Sequence, residues 1–295
     1  MTSIQTIFSD LTYASEQCVE EKLWKRHTDV NGAYRQLLTL LTKSVHAGTT
    51  RRVEKMYSQF LRVSLQFYKG YLQRLLACYD VPEINRVAAG MGLESTPSGE
   101  KITQMSQATS NTILQSCHDT FVRLGDLARY RIRAKPGKSS FETPLTYYSL
   151  AQDLLPDSGF AAHQIAIISL DEGNHLNVIY HFYRSGVVKN PHPHAKGNLE
   201  AEFKTLHQKR SYDQISSSPS DAFAYWFSKL HAFYYKGEPF SQQTELENEV
   251  LHRLEKSAVA QNTTKCLITM SLVNICAHHV ATRAMLGKPW TCTCK

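Results

Sequence analysis

No proline occurs before Pro82, and that absence constrains the chain more than any other feature. Proline removes a backbone donor and clashes with the preceding helical turn, so residues 1–81 are open to nearly uninterrupted helix. Within them Tyr57, Phe60, Leu61, Leu65, Tyr68, Leu72, Leu75, Leu76 and Tyr79 recur at three- and four-residue intervals, the period of a helix that buries one face. An earlier helix runs through Val19, Leu23, Trp24, Tyr34, Leu37, Leu38 and Leu41, with a stop expected around Gly48. Residues 82–103, with Pro82, Gly90, Gly92, Pro97 and Gly99, read as the first loop.

The remainder continues in the same manner. A third long helix is expected over about 105–133, ending at Lys135-Pro136-Gly137. Shorter helices follow near 142–155, 159–171, 174–189 and 194–209, separated by Pro156, Gly173 and Pro191-Pro193. A polar loop at 211–219 leads to helices near 221–236, 241–260 and 263–286. No hairpin signal flanked by alternating residues competes with them, so the fold class is all-α. The middle helices also repeat, in the manner of the 34-residue tetratricopeptide helix pair. Leu124-Gly125 opens one unit that Tyr148, Ala151 and Pro156 close. Ile165-Ala166, Gly173, Val178, Phe182 and Ser185 fit a second, and Asn198-Leu199 begins a third. Stacked helix pairs make a concave groove suited to peptides.

With 42% hydrophobic residues the chain is too apolar for intrinsic disorder. No apolar run approaches the ~18 residues of a membrane span, and the polar N-terminus lacks a signal-peptide core, so no membrane partner and a cytoplasmic or nuclear location are expected. Residues 1–139 carry 19 Lys/Arg against 12 Asp/Glu, while residues 140–295 carry 14 of each. The whole net charge of +7 therefore sits in the first half, which excludes a chain-wide basic coat and leaves room for a local basic surface. There is no Walker A loop, Rossmann glycine pattern, HExxH or GxSxG, so an enzyme is not expected, and no cofactor is implied. The seven cysteines are scattered and read as reduced thiols. Cys292 and Cys294 with His278 and His279 make a poor metal set on a terminus, and no metal is expected. His192-Pro193-His194 reads as a capping turn.

The stretch from Tyr147 to Leu199 resembles the tetratricopeptide core shared by the SMG-type nonsense-mediated decay adaptors and the ever-shorter-telomeres subunit of telomerase. Ala151, Leu154, Pro156, Gly159, Gln164, Ala166, Gly173, Tyr180, Arg184, Ser185, Asn198 and Leu199 match that pattern. Upstream, Leu124-Gly125-Asp126-Leu127-Ala128-Arg129-Tyr130-Arg131 resembles the family's Leu-Gly-Asp-Ile-Ala-Arg-Tyr-Arg. Val19-Glu20-Glu21-Lys22-Leu23-Trp24 resembles its N-terminal helix, and Trp226-Phe227 with His231 a downstream step. The resemblance implies a 14-3-3-like and tetratricopeptide-like helical domain over 1–209, with a helical hairpin extension over 220–288. It also implies a phosphopeptide site in which an Arg-Tyr pair and bases on a neighbouring helix hold one phosphate. A guanidinium fork and a phenol suit that task, since both donate directionally to phosphate oxygens.

Arg129 and Tyr130 fit the Arg-Tyr step and lie in the most basic segment, which also holds Arg123, Arg131, Arg133, Lys135 and Lys138 against one acid, Asp126. The alternative for Arg129 is an exposed ion pair with Asp126, worth only ~0.3 kcal/mol. Counting from Trp24, the family's second pocket base falls on Asp29, an acid that would repel a phosphate dianion. Lys25 and Arg26 one turn earlier, and Arg35 less than two turns later, are the substitutes; for Lys25 and Arg26 the alternative is ordinary surface charge. Arg184 faces the groove or buttresses the seam between the two halves by pairing with a carboxylate, and Arg131 is either a groove base or part of a solvated face. Trp24, Trp226 and the tyrosine stripe read as core.

Two functions remain. One is an adaptor of messenger RNA surveillance that binds a phosphorylated protein, such as the decay helicase, through a phospho-Ser/Thr segment. The other is a telomerase-associated subunit that contacts telomerase RNA, single-stranded telomeric DNA or a telomere protein. A generic helical scaffold is the bland alternative. The resemblance also allows a homo- or hetero-dimer with a family member, and it implies that family members extend into a tail or a nuclease domain. The absence of an aromatic–basic strand surface favours the peptide reading.

Overall fold

Helices form almost wherever the apolar spacing calls for them. The structure, a computed structural model, describes residues 3–41, 47–89, 105–134, 140–208, 218–237, 240–258 and 263–290. Among these there are thirteen α-helices and no β-strand, so the fold is all-α. Contacts group them into two compact units, Met1–Pro156 and Asp157–Lys295. The expected 1–209 domain spans the first unit and the opening helices of the second, and most of the expected 211–219 loop lies outside the described residues.

The first unit holds α1 (Ser3–Ser9), α2 (Leu11–Glu16), α3 (Val19–Leu41), α4 (Ala47–Cys78), α5 (Pro82–Ala89), α6 (Gln107–Arg133) and α7 (Glu142–Leu154). Its centre is the packing of α4 on α6 and of α6 on α7. Leu61, Tyr68, Leu72 and Leu75 of α4 are buried, as are Ile113, Cys117, Phe121 and Leu124 of α6. The tyrosine stripe is thus core, and Trp24 meets Tyr68 edge to face at 5.7 Å between ring centroids. Ser106 caps α6 by accepting from the Thr109 N–H at 3.1 Å.

Two boundaries differ from the sequence reading. The loop expected over 82–103 begins instead as α5, because proline is well tolerated in a first helical turn and Val81, Ile84 and Val87 bury one face at three-residue steps. Residues 90–104 lie outside the described residues. Gly48 is not a stop: α3 ends at Leu41, and Gly48 sits in the first turn of α4.

The second unit holds α8 (Phe160–Asp171), α9 (His175–Val187), α10 (Ala195–Gln208), α11 (Pro219–Tyr234), α12 (Gln243–Ser257) and α13 (Thr263–Met285). Phe182, Tyr183, Leu199, Phe203, Phe223 and Val273 form its core, with Trp226 packed partly buried against them. Gly173, at φ +69°, ends α8 in a left-handed turn that only glycine adopts without strain, and Asn174 then caps α9. The turn at His192–His194 starts α10, with the Ala195 N–H donating to the His192 carbonyl at 3.1 Å. Before α8, the chain is clamped to the loop after α9. Gly159 N–H donates to the Asn190 carbonyl at 2.8 Å, and Ser185 Oγ donates to the Gly159 carbonyl at 2.8 Å. A Cβ at Gly159 would stand 2.1 Å from the Ser185 carbonyl oxygen, which accounts for glycine there.

Three histidines of this unit are held neutral. Burial, with Arg184 nearby, pulls His181 down to about 3, and burial pulls His231 down to about 4. Burial and the neighbouring His194 pull His192 down to about 4. All three titrate near 6.5 once unfolded, so below that pH the unfolded chain takes up protons that the fold refuses. The stability they contribute is complete above about pH 6.5 and is lost as pH falls toward 4. Thermal melts between pH 7 and 4.5 should show a falling midpoint, and a shallower fall in His231→Gln, whose amide still accepts from Tyr183. A flat wild-type profile would contradict this account.

Candidate functional site

The site is built on α6, and its geometry starts from a missing side chain. Gly125 faces Tyr148 of α7 so closely that an added Cβ would lie 2.3 Å from the Tyr148 ring. This approach carries the Tyr148 hydroxyl to Asp126, to which it donates at 2.7 Å, while Arg129 Nε donates to the same hydroxyl oxygen at 3.3 Å. Arg129 Nη2 closes the triangle on Asp126 at 2.8 Å. All three residues are buried. The Asp126–Arg129 pair is therefore not the weak exposed i,i+3 pair that spacing alone suggests; its members depend on each other, since either one alone would be an uncompensated buried charge. Burial works against the Arg129 charge, but Tyr148 and Asp126 outweigh it and hold the guanidinium firmly protonated.

Arg129 also lies over the ring of Tyr130, 5.0 Å from its centroid. Tyr130 is half-buried, and its phenol is raised to about 12, first by burial and then by Asp126, with Arg129 and Arg35 pulling the other way. It is thus a neutral O–H donor at physiological pH. Arg35 reaches this region from α3, exposed, and also acts on the Tyr57 phenol. Tyr57 in turn donates to the buried Asn31 at 2.6 Å, fixing α3 against α4 beneath Arg35. Arg35, Tyr57, Arg129 and Tyr130 accordingly belong to one neighbourhood assembled from three helices.

The other expected residues are distributed differently. Lys25 is exposed and donates to both carboxylate oxygens of Asp29, at 3.1 and 3.3 Å, so the acid that falls on the family's base position is neutralised by its own helix. Such an exposed i,i+4 pair is worth at most about 0.5 kcal/mol. Arg26 is exposed on the next position. Arg123 is buried and bonded to Glu20 at 2.9 Å, and Tyr71 joins the same glutamate at 3.0 Å. Glu20 is the α3 residue that ties this helix to α6, a role its matched motif carried without revealing. Arg131 is exposed on α6, and Arg184 is half-buried on α9 near His181 and Cys276. Lys135, Lys138, Cys292 and Cys294 lie outside the described residues. Among the described residues no His/Cys/Asp/Glu cluster is placed to hold a metal, and no helix is long and apolar enough to cross a membrane.

Comparison with known proteins matches this chain to two models of one family. Residues 18–135 match the telomerase activating protein Est1, and residues 144–288 match the Est1 DNA/RNA binding domain. Over 280 residues the chain is 28% identical to the nonsense-mediated mRNA decay factor SMG7 of Danio rerio, covering 92% of this chain and 22% of that protein. The crystal structure of Est1 and Cdc13 shares the fold with a TM-score of 0.76 at 14% identity, over 97% of this chain and 59% of that one. The C. elegans SMG5–SMG7 complex does so with a TM-score of 0.51 at 13% identity, over 96% and 70%. The all-α, 14-3-3-like architecture expected from the motifs is the one found. The chain spans about a fifth of the length of the curated relatives it matches first.

The buried triangle makes a direct prediction. Tyr148→Phe should cost about 1–3 kcal/mol in urea denaturation by removing the hydroxyl that bonds both Asp126 and Arg129. Gly125→Ala should cost about 2 kcal/mol despite the ~1 kcal/mol that alanine gains in a helix, because the ring behind it cannot retreat. A stabilised Gly125→Ala protein would contradict the packing described.

Proposed function

Because the chain belongs to the Est1 family, we propose that it is a non-enzymatic adaptor, serving nonsense-mediated mRNA decay, that binds a phosphorylated segment of a partner protein. What supports this reading is that Arg35 of α3 acts on the phenols of Tyr57 and Tyr130, while Arg129 lies over the Tyr130 ring. A phosphate dianion there meets an exposed guanidinium from α3 and a neutral phenol donor from α6. Arg129 supplies charge from beneath while its own position is held by Asp126 and Tyr148. Lys25 and Arg26 are exposed further along α3, and the Lys25–Asp29 pair reduces the repulsion that an isolated Asp29 would exert.

The match of residues 144–288 to a DNA/RNA binding domain favours a second reading, a telomerase-associated subunit that contacts telomerase RNA or single-stranded telomeric DNA. Residues 140–295 carry 14 basic and 14 acidic side chains, without the surplus that several phosphate contacts need, which ranks this reading second.

Fluorescence anisotropy with a phosphoserine-glutamine peptide and its unphosphorylated twin separates them. The phosphorylated peptide should bind at least about tenfold tighter, and Arg35→Glu or Tyr130→Phe should remove most of that difference, a loss of ~1.4 kcal/mol or more. Equal binding of the two peptides would sink the adaptor reading. Binding of RNA that declines steeply with salt and ignores both substitutions would favour the second.

A further inference from the structure

A second basic depression lies in the first unit, apart from Arg35 and Tyr130. It has a volume of about 500 Å³ and is opened between α4, α6 and the start of α7. Its polar walls are Arg62, Gln66 and Lys69 of α4, Arg131 of α6, and Ser140 and Thr143 at the start of α7. Arg62, Gln66 and Lys69 are spaced four and three residues apart, so they form one stripe along α4. Phe60 and Phe67 lie on another flank of α4, against His27 and Tyr34 of α3. The depression thus opens on the flank of α4 turned away from α3 and from Arg35.

Its charges are unusual for this protein. Several basic groups elsewhere on α3 and α6 meet acids: Arg123 meets Glu20, Arg129 meets Asp126, and Lys25 meets Asp29. Here three cations line one hollow, and no carboxylate is among the described residues that line it. Arg62 is held by Gln59 Oε1, which accepts from its Nε at 3.1 Å and its Nη2 at 2.8 Å and so orients the guanidinium without neutralising it. Lys69 and Arg131 are exposed and form no ion pair with a described residue. Like charges around one hollow raise its potential, and an anion seated there relieves that repulsion. Ser140 Oγ accepts from the Glu142 N–H at 3.1 Å, which leaves its hydroxyl proton to donate, and the exposed Thr143 offers a second hydroxyl.

We propose that this depression is a second anion site, which takes the phosphoryl group of a phosphorylated serine or threonine side chain on a partner protein. The size suits one phosphorylated side chain with its flanking backbone. The floor decides between protein and nucleic acid. Leu65, Ala128 and Tyr147 form it and all three are buried, so an aliphatic stem finds apolar cover while no exposed ring offers a platform for stacking bases. The site stands independently of the Arg35–Tyr130 reading.

The test uses the whole chain and a fluorescein-labelled Gly/Ser decapeptide with one central phosphoserine, beside its unphosphorylated twin, an oligouridine of similar length, and inorganic phosphate as competitor. Because Lys69 and Arg131 are exposed, the double variant Lys69→Ala/Arg131→Ala should keep the wild-type melting midpoint. In an Arg35→Ala background, which leaves the pocket-dependent binding intact, it should weaken the phosphorylated probe about tenfold or more, while Lys69→Arg retains binding. Millimolar inorganic phosphate should displace the probe only partly if the peptide backbone contributes; full displacement at low phosphate would instead assign the site to free phosphate and overturn the peptide ligand. Loss of binding in Arg35→Ala with none in the double variant overturns this site and leaves the earlier one standing. Equal binding of the unphosphorylated twin, or the absence of saturable binding, overturns it as well. Tighter, pocket-dependent binding of oligouridine would overturn the choice of a protein ligand.

Discussion

The contact between Gly125 and the ring of Tyr148 is the constraint on which the first unit depends. Helices α6 and α7 can approach this closely only because position 125 has no Cβ, and only at this distance does the Tyr148 hydroxyl reach Asp126. Asp126 in turn makes a buried Arg129 tolerable, and Arg129 supports the ring of Tyr130. Four residues of a short motif thus act as one mechanical and electrostatic unit. A buried, fully bonded network of this kind specifies a geometry more strongly than it adds stability.

The same logic sorts the basic charge of the first half. Charges that the fold buries, Arg123 and Arg129, are matched by acids that arrive from distant sequence or from the preceding turn. Charges left at the surface divide again. Lys25 is spent on Asp29, whereas Arg35 acts on phenols, and Arg62, Lys69 and Arg131 share a hollow with no acid among the described residues that line it. Net charge therefore says little about binding until each cation has been assigned its partner.

Much of the fold was legible in the sequence. Long apolar stripes such as 57–76 announce α4 because a helix repeats its buried face every three to four residues whatever it packs against. The break between α8 and α9 at Gly173 was legible for a similar reason, since a left-handed turn is local chemistry, whereas the Asn174 cap emerged from the structure. The helix α5 was not, because Pro82 and a nearby run of glycines look like a loop, and only burial of Val81, Ile84 and Val87 against other helices favours the helical form.

The site was legible only as a list. Sequence by itself determined that Arg129, Tyr130 and Asp126 lie within one helical turn, that Asp29 stands where a base was expected, and that all excess positive charge belongs to the first half. Tertiary structure alone decided that Asp126 and Arg129 are a buried pair completed by Tyr148, and that Arg35 of α3 comes close enough to act on the Tyr130 phenol of α6. It also decided which cations, Arg62, Lys69 and Arg131, gather without an acid among them. The physical reason is range. Periodicity and capping act over a few residues and are written along the chain, whereas the energy of a charge is set by its burial and by partners from other helices, which exist only once the helices have packed.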